Sequence, residues 1–162
     1  PRSGRSRRAR VEPQGALPHT VDNVKPACKA GDIRIDQALL GSCTNGRLED
    51  LRIAAEILRG RKVHPDVRMI VIPASSDIYL EALREGLISS LMESGAIFCH
   101  SCCGPCNGGH MGLLARGEVC ISSSSRNFQN RMGAPGSDVL LASPATVAAS
   151  AIEGRVADPR NF

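Results

Sequence analysis

From Ile35 onward the chain switches repeatedly between short unbroken apolar runs and longer stretches with an apolar residue every three or four positions. The runs Ile35–Leu40, Val67–Ile72 (VRMIVI), Ala96–Cys99, Glu118–Ser122 and Val139–Ala142 predict strands. Arg47–Leu58 predicts a helix, with Leu48, Leu51, Ile53, Ala54, Ile57 and Leu58 at mixed three- and four-residue spacing. Asp77–Met92 predicts a second helix, capped by Ser75 or Ser76. Ala145–Ile152 predicts a third, started by Ser143-Pro144 and stopped at Gly154. Residues 11–34 are broken by Pro13, Pro18, Pro26 and Gly31 and read as an extended leading segment. Strands alternating with helices imply crossover connections and a parallel sheet. The expected fold is therefore α/β: one three-layer α/β/α domain with a largely parallel sheet over residues 11–162.

Composition narrows the partners. The 162 residues are 42% hydrophobic but only 2% aromatic, with no Trp, so the core must be built from Leu, Ile, Val and Ala. The net charge of +4 belongs to residues 1–10 (PRSGRSRRAR), which hold five Arg and no acid. The remainder balances 15 basic against 16 acidic residues, so no basic face for nucleic acid is in view. The tail reads as a disordered end or a truncation; a transit peptide would need an amphipathic apolar face. No apolar stretch approaches the ~20 residues of a membrane span, so neither a membrane nor a secretory apolar region is expected. Of seven cysteines, four crowd into residues 99–106. A secreted disulfide framework would space them more evenly, so a reducing compartment, the cytoplasm, and metal ligation fit better.

Cys43 stands in Gly-Ser-Cys-Thr-Asn-Gly (41–46), between a predicted strand and a predicted helix. Cys103 and Cys106 follow 60 and 63 residues later in Cys-Gly-Pro-Cys. Ligands of a parallel sheet collect beyond the carboxyl ends of its strands, so these loops and the segment 122–131 are expected on one rim. Three thiolates from two loops suit a cubane iron–sulfur cluster that keeps one iron without a protein ligand, able to act as a Lewis acid. Two other chemistries share these residues. A thioredoxin-like dithiol would run from Cys106 into a helix, yet Gly108, Gly109 and Gly112 follow it. A zinc site drawing on Cys99, His100, Cys102, Cys103 and Cys106 would leave Cys43 without a role. Cys28, Cys99, Cys102 and Cys120 read as small apolar fillers. Arg126 and Arg131 are candidate holders of carboxylates, with solvated loop arginines as the plainer reading. Ser122–Ser125 are hydrogen-bond donors or simply a polar strand end. Thr44 and Asn45 are expected to cap the helix at Arg47, with Asn45 also in reach of a ligand. His19 and His110 receive no role.

Taken together, Gly-Ser-Cys-Thr-Asn-Gly, Cys-Gly-Pro-Cys-x-Gly-Gly-His and Arg-Asn-Phe-x-x-Arg-Met-Gly resemble the aconitase superfamily. Leu-Pro-His-Thr-Val-Asp-Asn-Val (17–24) is similar to the large subunits of isopropylmalate isomerases and homoaconitases. The resemblance covers residues 11–162 and implies an aconitase-type domain in which Cys43, Cys103 and Cys106 ligate a [4Fe-4S] cluster. It implies that Arg126 and Arg131 bind substrate carboxylates, with Asn45 and Ser125 beside the cluster. The implied activity is that of a hydro-lyase that moves a hydroxyl by dehydration and rehydration, interconverting 2- and 3-isopropylmalate in leucine biosynthesis. A stand-alone metal-binding remnant, with zinc or an iron–sulfur cluster and no catalysis, is the alternative. The family usually has Asn at the position of Ser125 and Gly at that of Asn130. It also carries upstream portions with active-site His and Asp groups, and a small subunit that supplies the catalytic serine base. No catalytic base is therefore expected in this chain, and no turnover by it alone.

Overall fold

The computed structural model describes residues 12–30 and 32–162; the basic tail 1–10, with its expected disorder, lies outside them. Seven strands form one sheet: β1 (Gln14–Ala16), β2 (Val24–Pro26), β3 (Gln37–Gly41), β4 (Arg68–Ile72), β5 (Ile97–Phe98), β6 (Val119–Ser122) and β7 (Asp138–Ala142). Their spatial order is β2-β1-β7-β6-β3-β4-β5. The five strands from β7 to β5 are parallel, and β1 joins β7 and β2 antiparallel. The helices are α1 (Leu48–Leu58), α2 (Ser76–Arg84), α3 (Leu87–Glu93) and α4 (Pro144–Glu153).

Period-two alternation divides the parallel strands between two cores. Ala38, Leu40, Met69, Val71, Ile121 and Leu140 face one side, together with buried Leu51, Leu58, Leu91 and Val147 of the helices. Leu39, Ile70, Ile72, Cys120 and Val139 face the other, where they meet Cys99, Leu114 and Met132. All four helices thus lie on one face. The expected third layer is present, but it is coil: residues 99–118 and 123–137 cover the second face, with one helical turn at Gly104–Asn107. Glycines explain that choice. Gly112 presses on Ile70 Cδ1, 2.5 Å from where a Cβ would sit, and such close backbone approach suits an irregular chain better than a helix.

Most predicted elements are present, with physical reasons for the differences. The helix expected over 77–92 is two helices, because Gly86 adopts φ +73° and turns the chain between them. Ser75 rather than Ser76 caps the first, accepting from Ile78 N at 3.3 Å. Ser143 caps α4 through Thr146 N, and Gly154 ends it at φ +72°. The leading segment contains the β1–β2 hairpin, whose three-residue strands are too short to show a period. Thr44 and Asn45 do not cap α1. Arg47 is its first flanking residue, and Asp50 accepts from Gly46 N and Arg47 N at 3.2 and 3.0 Å.

At the amino edge of the sheet, fully buried Gln37 donates to Gly112 O at 2.8 Å and accepts from Arg68. Arg68 in turn forks onto Glu118 with contacts of 2.8 and 2.9 Å. That hydrogen-bonded guanidinium holds the Glu118 carboxyl below its ordinary pKa. A carboxylate depressed in the folded state stabilises above its unfolded pKa and loses that contribution as pH falls through the folded value. Glu118→Gln is accordingly expected to cost about 1 kcal/mol at neutral pH, solvent keeping the pair near the surface range. Urea midpoints should show the gap narrowing below pH ~4.3; a gap independent of pH would assign the cost to packing.

Candidate metal centre

The loop carrying Cys43 is a tight turn closed at its base. Ser42 N donates to Asn45 O at 3.0 Å and Asn45 N to Ser42 O at 3.3 Å. Gly41 and Gly46 flank it at φ +89° and +92°, and a Cβ on either would fall 2.0 or 2.4 Å from the Ile72 carbonyl oxygen. Both positions therefore require glycine. Ser42 itself sits at φ +142°, a conformation a side chain rarely takes, next to exposed Cys43.

Cys103 precedes a single helical turn, Gly104–Asn107, and Cys106 lies within it, its N donating to Cys103 O at 3.2 Å. Gly104, at φ +55°, rests on the same β4 residue: its Cβ would lie 2.3 Å from Ile72 Cδ1. Ile72 pairs with Gly41 across the parallel ladder, so one residue sets the spacing of both cysteine loops. Cys103 and Cys43 lie near enough for their side chains to interact. The Cys103 thiol is held above its ordinary pKa first by the charge of Cys43, then by side-chain hydrogen bonding with it, with burial, Cys106 and Cys102 adding to it. Ionising adjacent thiols together is unfavourable unless positive charge lies between them.

The third loop follows β6. Ser123 Oγ accepts from Gly41 N at 2.9 Å and donates to Asn45 Oδ1 at 2.7 Å, tying this loop to the Cys43 turn. Ser125 and Arg126 are exposed, while Arg131 is half-buried. Neither arginine forms an ion pair among the described residues. Asn130 adopts φ +59°. That left-handed conformation is one that Gly and Asn adopt most readily, and Asn occupies it here.

The remaining cysteines divide. Cys99 and Cys120 are buried, and burial raises both thiols, Cys120 to about 12, so both remain protonated fillers. Cys99 lies just past β5 rather than within it. Cys102 is half-buried, its sulfur 3.8 Å from His110 Nδ1. Cys28 is exposed on the turn after β2, which corrects the filler reading for that residue.

Four buried side-chain atoms lack a hydrogen-bond partner among the described residues: Ser42 Oγ, Ser101 Oγ, Asn127 Oδ1 and Arg131 Nε. All four fall in these three loops, whereas the other buried side-chain N and O atoms among the described residues are paired. Two cavities lie away from these loops. One of 780 Å³ adjoins Cys28, Arg61 and Asp158, and one of 590 Å³ adjoins Asp36, His64 and Glu153. No three or more His, Cys, Asp or Glu among the described residues are arranged to hold a single metal ion. Cubane ligands each bind a different iron, so Cys43, Cys103 and Cys106 need not meet at one point. Their all-thiol donor set and the unpartnered polar atoms around it fit such a cluster.

The model of the aconitase family (aconitate hydratase) matches residues 6–154. The chain belongs to the aconitase family. Among curated proteins it is similar to the 3-isopropylmalate dehydratase large subunit of Moorella thermoacetica, 56% identical over 151 residues, covering 93% of this chain and 36% of that protein. The large subunit from Halothermothrix orenii is 59% identical over 149 residues, covering 92% and 36%. Large subunit 1 of Methanopyrus kandleri is 57% identical over 152 residues, covering 94% and 36%. The chain thus spans about 36% of the length of these relatives. The α/β fold with its mostly parallel sheet is that expected of an aconitase-type domain.

Asn127 was not foreseen from sequence: its contacts lie 107 to 110 positions away along the chain, and no local pattern marks it. Ser123 stands among the candidate donors Ser122–Ser125, and its hydroxyl donates to Asn45, 78 positions away.

Proposed function

We propose that residues 11–162 form the cluster-binding domain of a hydro-lyase that isomerises a 2-hydroxy acid, 2-isopropylmalate to 3-isopropylmalate in leucine biosynthesis. The observation that carries this reading is the meeting of Cys43 with the Cys103–Cys106 turn on a rim that concentrates the unpartnered buried polar atoms. The names of the similar large subunits support the substrate. Cys43, Cys103 and Cys106 would hold a [4Fe-4S] cluster, which when bound supplies a Lewis-acidic iron to the substrate's hydroxyl and carboxylate oxygens. Arg126 and Arg131 would clamp the carboxylates with their planar guanidinium forks. Arg131 is the better organised of the two, since its half-buried chain already carries an unpaired Nε donor. Asn45, fixed through its Oδ1 by Ser123, keeps its amide NH₂ for a neighbouring acceptor, and exposed Ser125 offers a hydroxyl. The proton-transferring base would come from a small subunit, and further site residues from upstream portions of the large subunit. The thiols, none of them paired in a disulfide, suit a reducing cytoplasm. Among the described residues no helix is long and apolar enough to cross a membrane.

Anaerobic reconstitution with iron and sulfide tests the reading, on this chain and on the full-length large subunit. Mild oxidation is expected to give a [3Fe-4S] electron paramagnetic resonance signal that disappears when iron is restored. Stoichiometric zinc, with no cluster in either form, would sink it.

A further inference from the structure

Asn127 lies between Arg126 and Phe128, and its side chain is fully buried, with Oδ1 unpartnered among the described residues. Its Nδ2 donates to two backbone carbonyls of the leading segment, Leu17 O at 2.9 Å and Thr20 O at 3.2 Å. The turn it grips is itself closed, by Leu17 N to Asn23 O at 2.8 Å and Asn23 Nδ2 to Pro18 O at 3.1 Å. At its other end the arginine loop is clamped a second time. Met132 is fully buried, its carbonyl accepts from Leu114 N at 2.9 Å, and Ala134 N donates to Leu114 O at 2.9 Å. Gly133 lies against Leu114 so closely that a Cβ would fall 2.3 Å from its oxygen. Arg126 and Arg131 are therefore carried on a short span fixed at both ends. Little within the span stiffens it, apart from Arg131 N to Phe128 O at 3.1 Å.

We propose that Asn127 is a positioning residue: it anchors the arginine-bearing span to the Leu17–Thr20 turn and so sets where both guanidinium groups meet a dicarboxylate. This rests on the dehydratase reading. A fully buried side chain that donates two part-buried hydrogen bonds across 107 to 110 residues ties the span to the turn, so the span inherits the placement of the turn. Arg–carboxylate recognition is bidentate and sensitive to orientation, so a loosened anchor should appear first as weakened substrate binding.

The test uses the assembled enzyme, full-length large subunit with small subunit, carrying Asn127→Asp. That substitution keeps the shape and removes the NH₂ donor. KM for 2-isopropylmalate is expected to rise about tenfold or more, with kcat per cluster changing less. A merely structural residue would lower the active fraction and the melting temperature while leaving KM untouched, because the molecules still folded would have a normal site. An unchanged KM in an active enzyme therefore overturns the proposal, whatever the melting temperature does. Should Asn127→Asp fail to accumulate, Asn127→Ala removes the amide without burying a charge and is read in the same way. A wild-type assembly with no isomerase activity would overturn the dehydratase reading, and with it the role of Asn127.

Discussion

Cys43→Ser is expected to leave the reconstituted protein with less than about a tenth of the wild-type iron and sulfide, whereas Cys28→Ser should retain the full amount. The contrast follows from where the two thiols lie. Cys43 lies near Cys103 and shares a rim with Cys106, while Cys28 is exposed on the turn after β2, beside the 780 Å³ cavity. A serine hydroxyl is a much poorer ligand for iron–sulfide chemistry than a thiolate, so one substitution removes one corner of the site. Cys43 is exposed, so its replacement should barely move the melting temperature of the metal-free chain, and lost iron could not be blamed on lost folding. Equal iron in the two variants would show the ligand set to be wrong.

The second large effect concerns Gly41→Ala, expected to destabilise by about 3–5 kcal/mol and to abolish cluster incorporation. Two penalties combine there. The backbone is left-handed at φ +89°, and the added Cβ would meet the Ile72 carbonyl oxygen at 2.0 Å. The obstacle is β4 backbone, which cannot rotate aside as a side chain could. Gly60→Ala separates the penalties, because Gly60 has φ +71° and nothing within 4 Å of an added Cβ. Only the conformational part, about 1 kcal/mol, should appear at Gly60. Urea denaturation of both variants gives the comparison. Similar midpoints would mean that the Cys43 turn can move away from Ile72, and that the glycine is not fixing it.

Much of this arrangement was legible in the chain. Val67–Ile72 and Val139–Ala142 announced strands because buried parallel strands are apolar without interruption. Ser143-Pro144 and Gly154 bracketed α4 because caps are local chemistry. Cys43, Cys103 and Cys106 stood out through their neighbours, and the topology explains why they meet, since each follows a parallel strand at its carboxyl end. Other features were hidden for equally physical reasons. The apolar pattern runs through Gly86, so nothing in the periodicity revealed that α2 and α3 are separate. Asn45 looked like a cap because its type and position suited one, but Asp50 reaches the helix start first and leaves Asn45 to Ser123. Asn127 was unreadable, since its partners are carbonyls of the leading segment and any residue supplies a carbonyl.

The coil layer over the second face has a consequence for how this protein would be monitored. Its helices and the long strand ladders form one cooperative frame, while all three rim loops belong to chain with few backbone ladders of its own. Segments of that kind open at lower free energy than the frame that carries them. Far-ultraviolet circular dichroism reports the helices, so it would record a native spectrum from molecules whose binding rim had already come apart. A preparation could thus look folded by its ellipticity and still be unable to accept a cluster. Amide exchange at Cys103–Gly108 and Ser123–Met132 would register that partial opening, long before any change in the spectrum of α1 and α4.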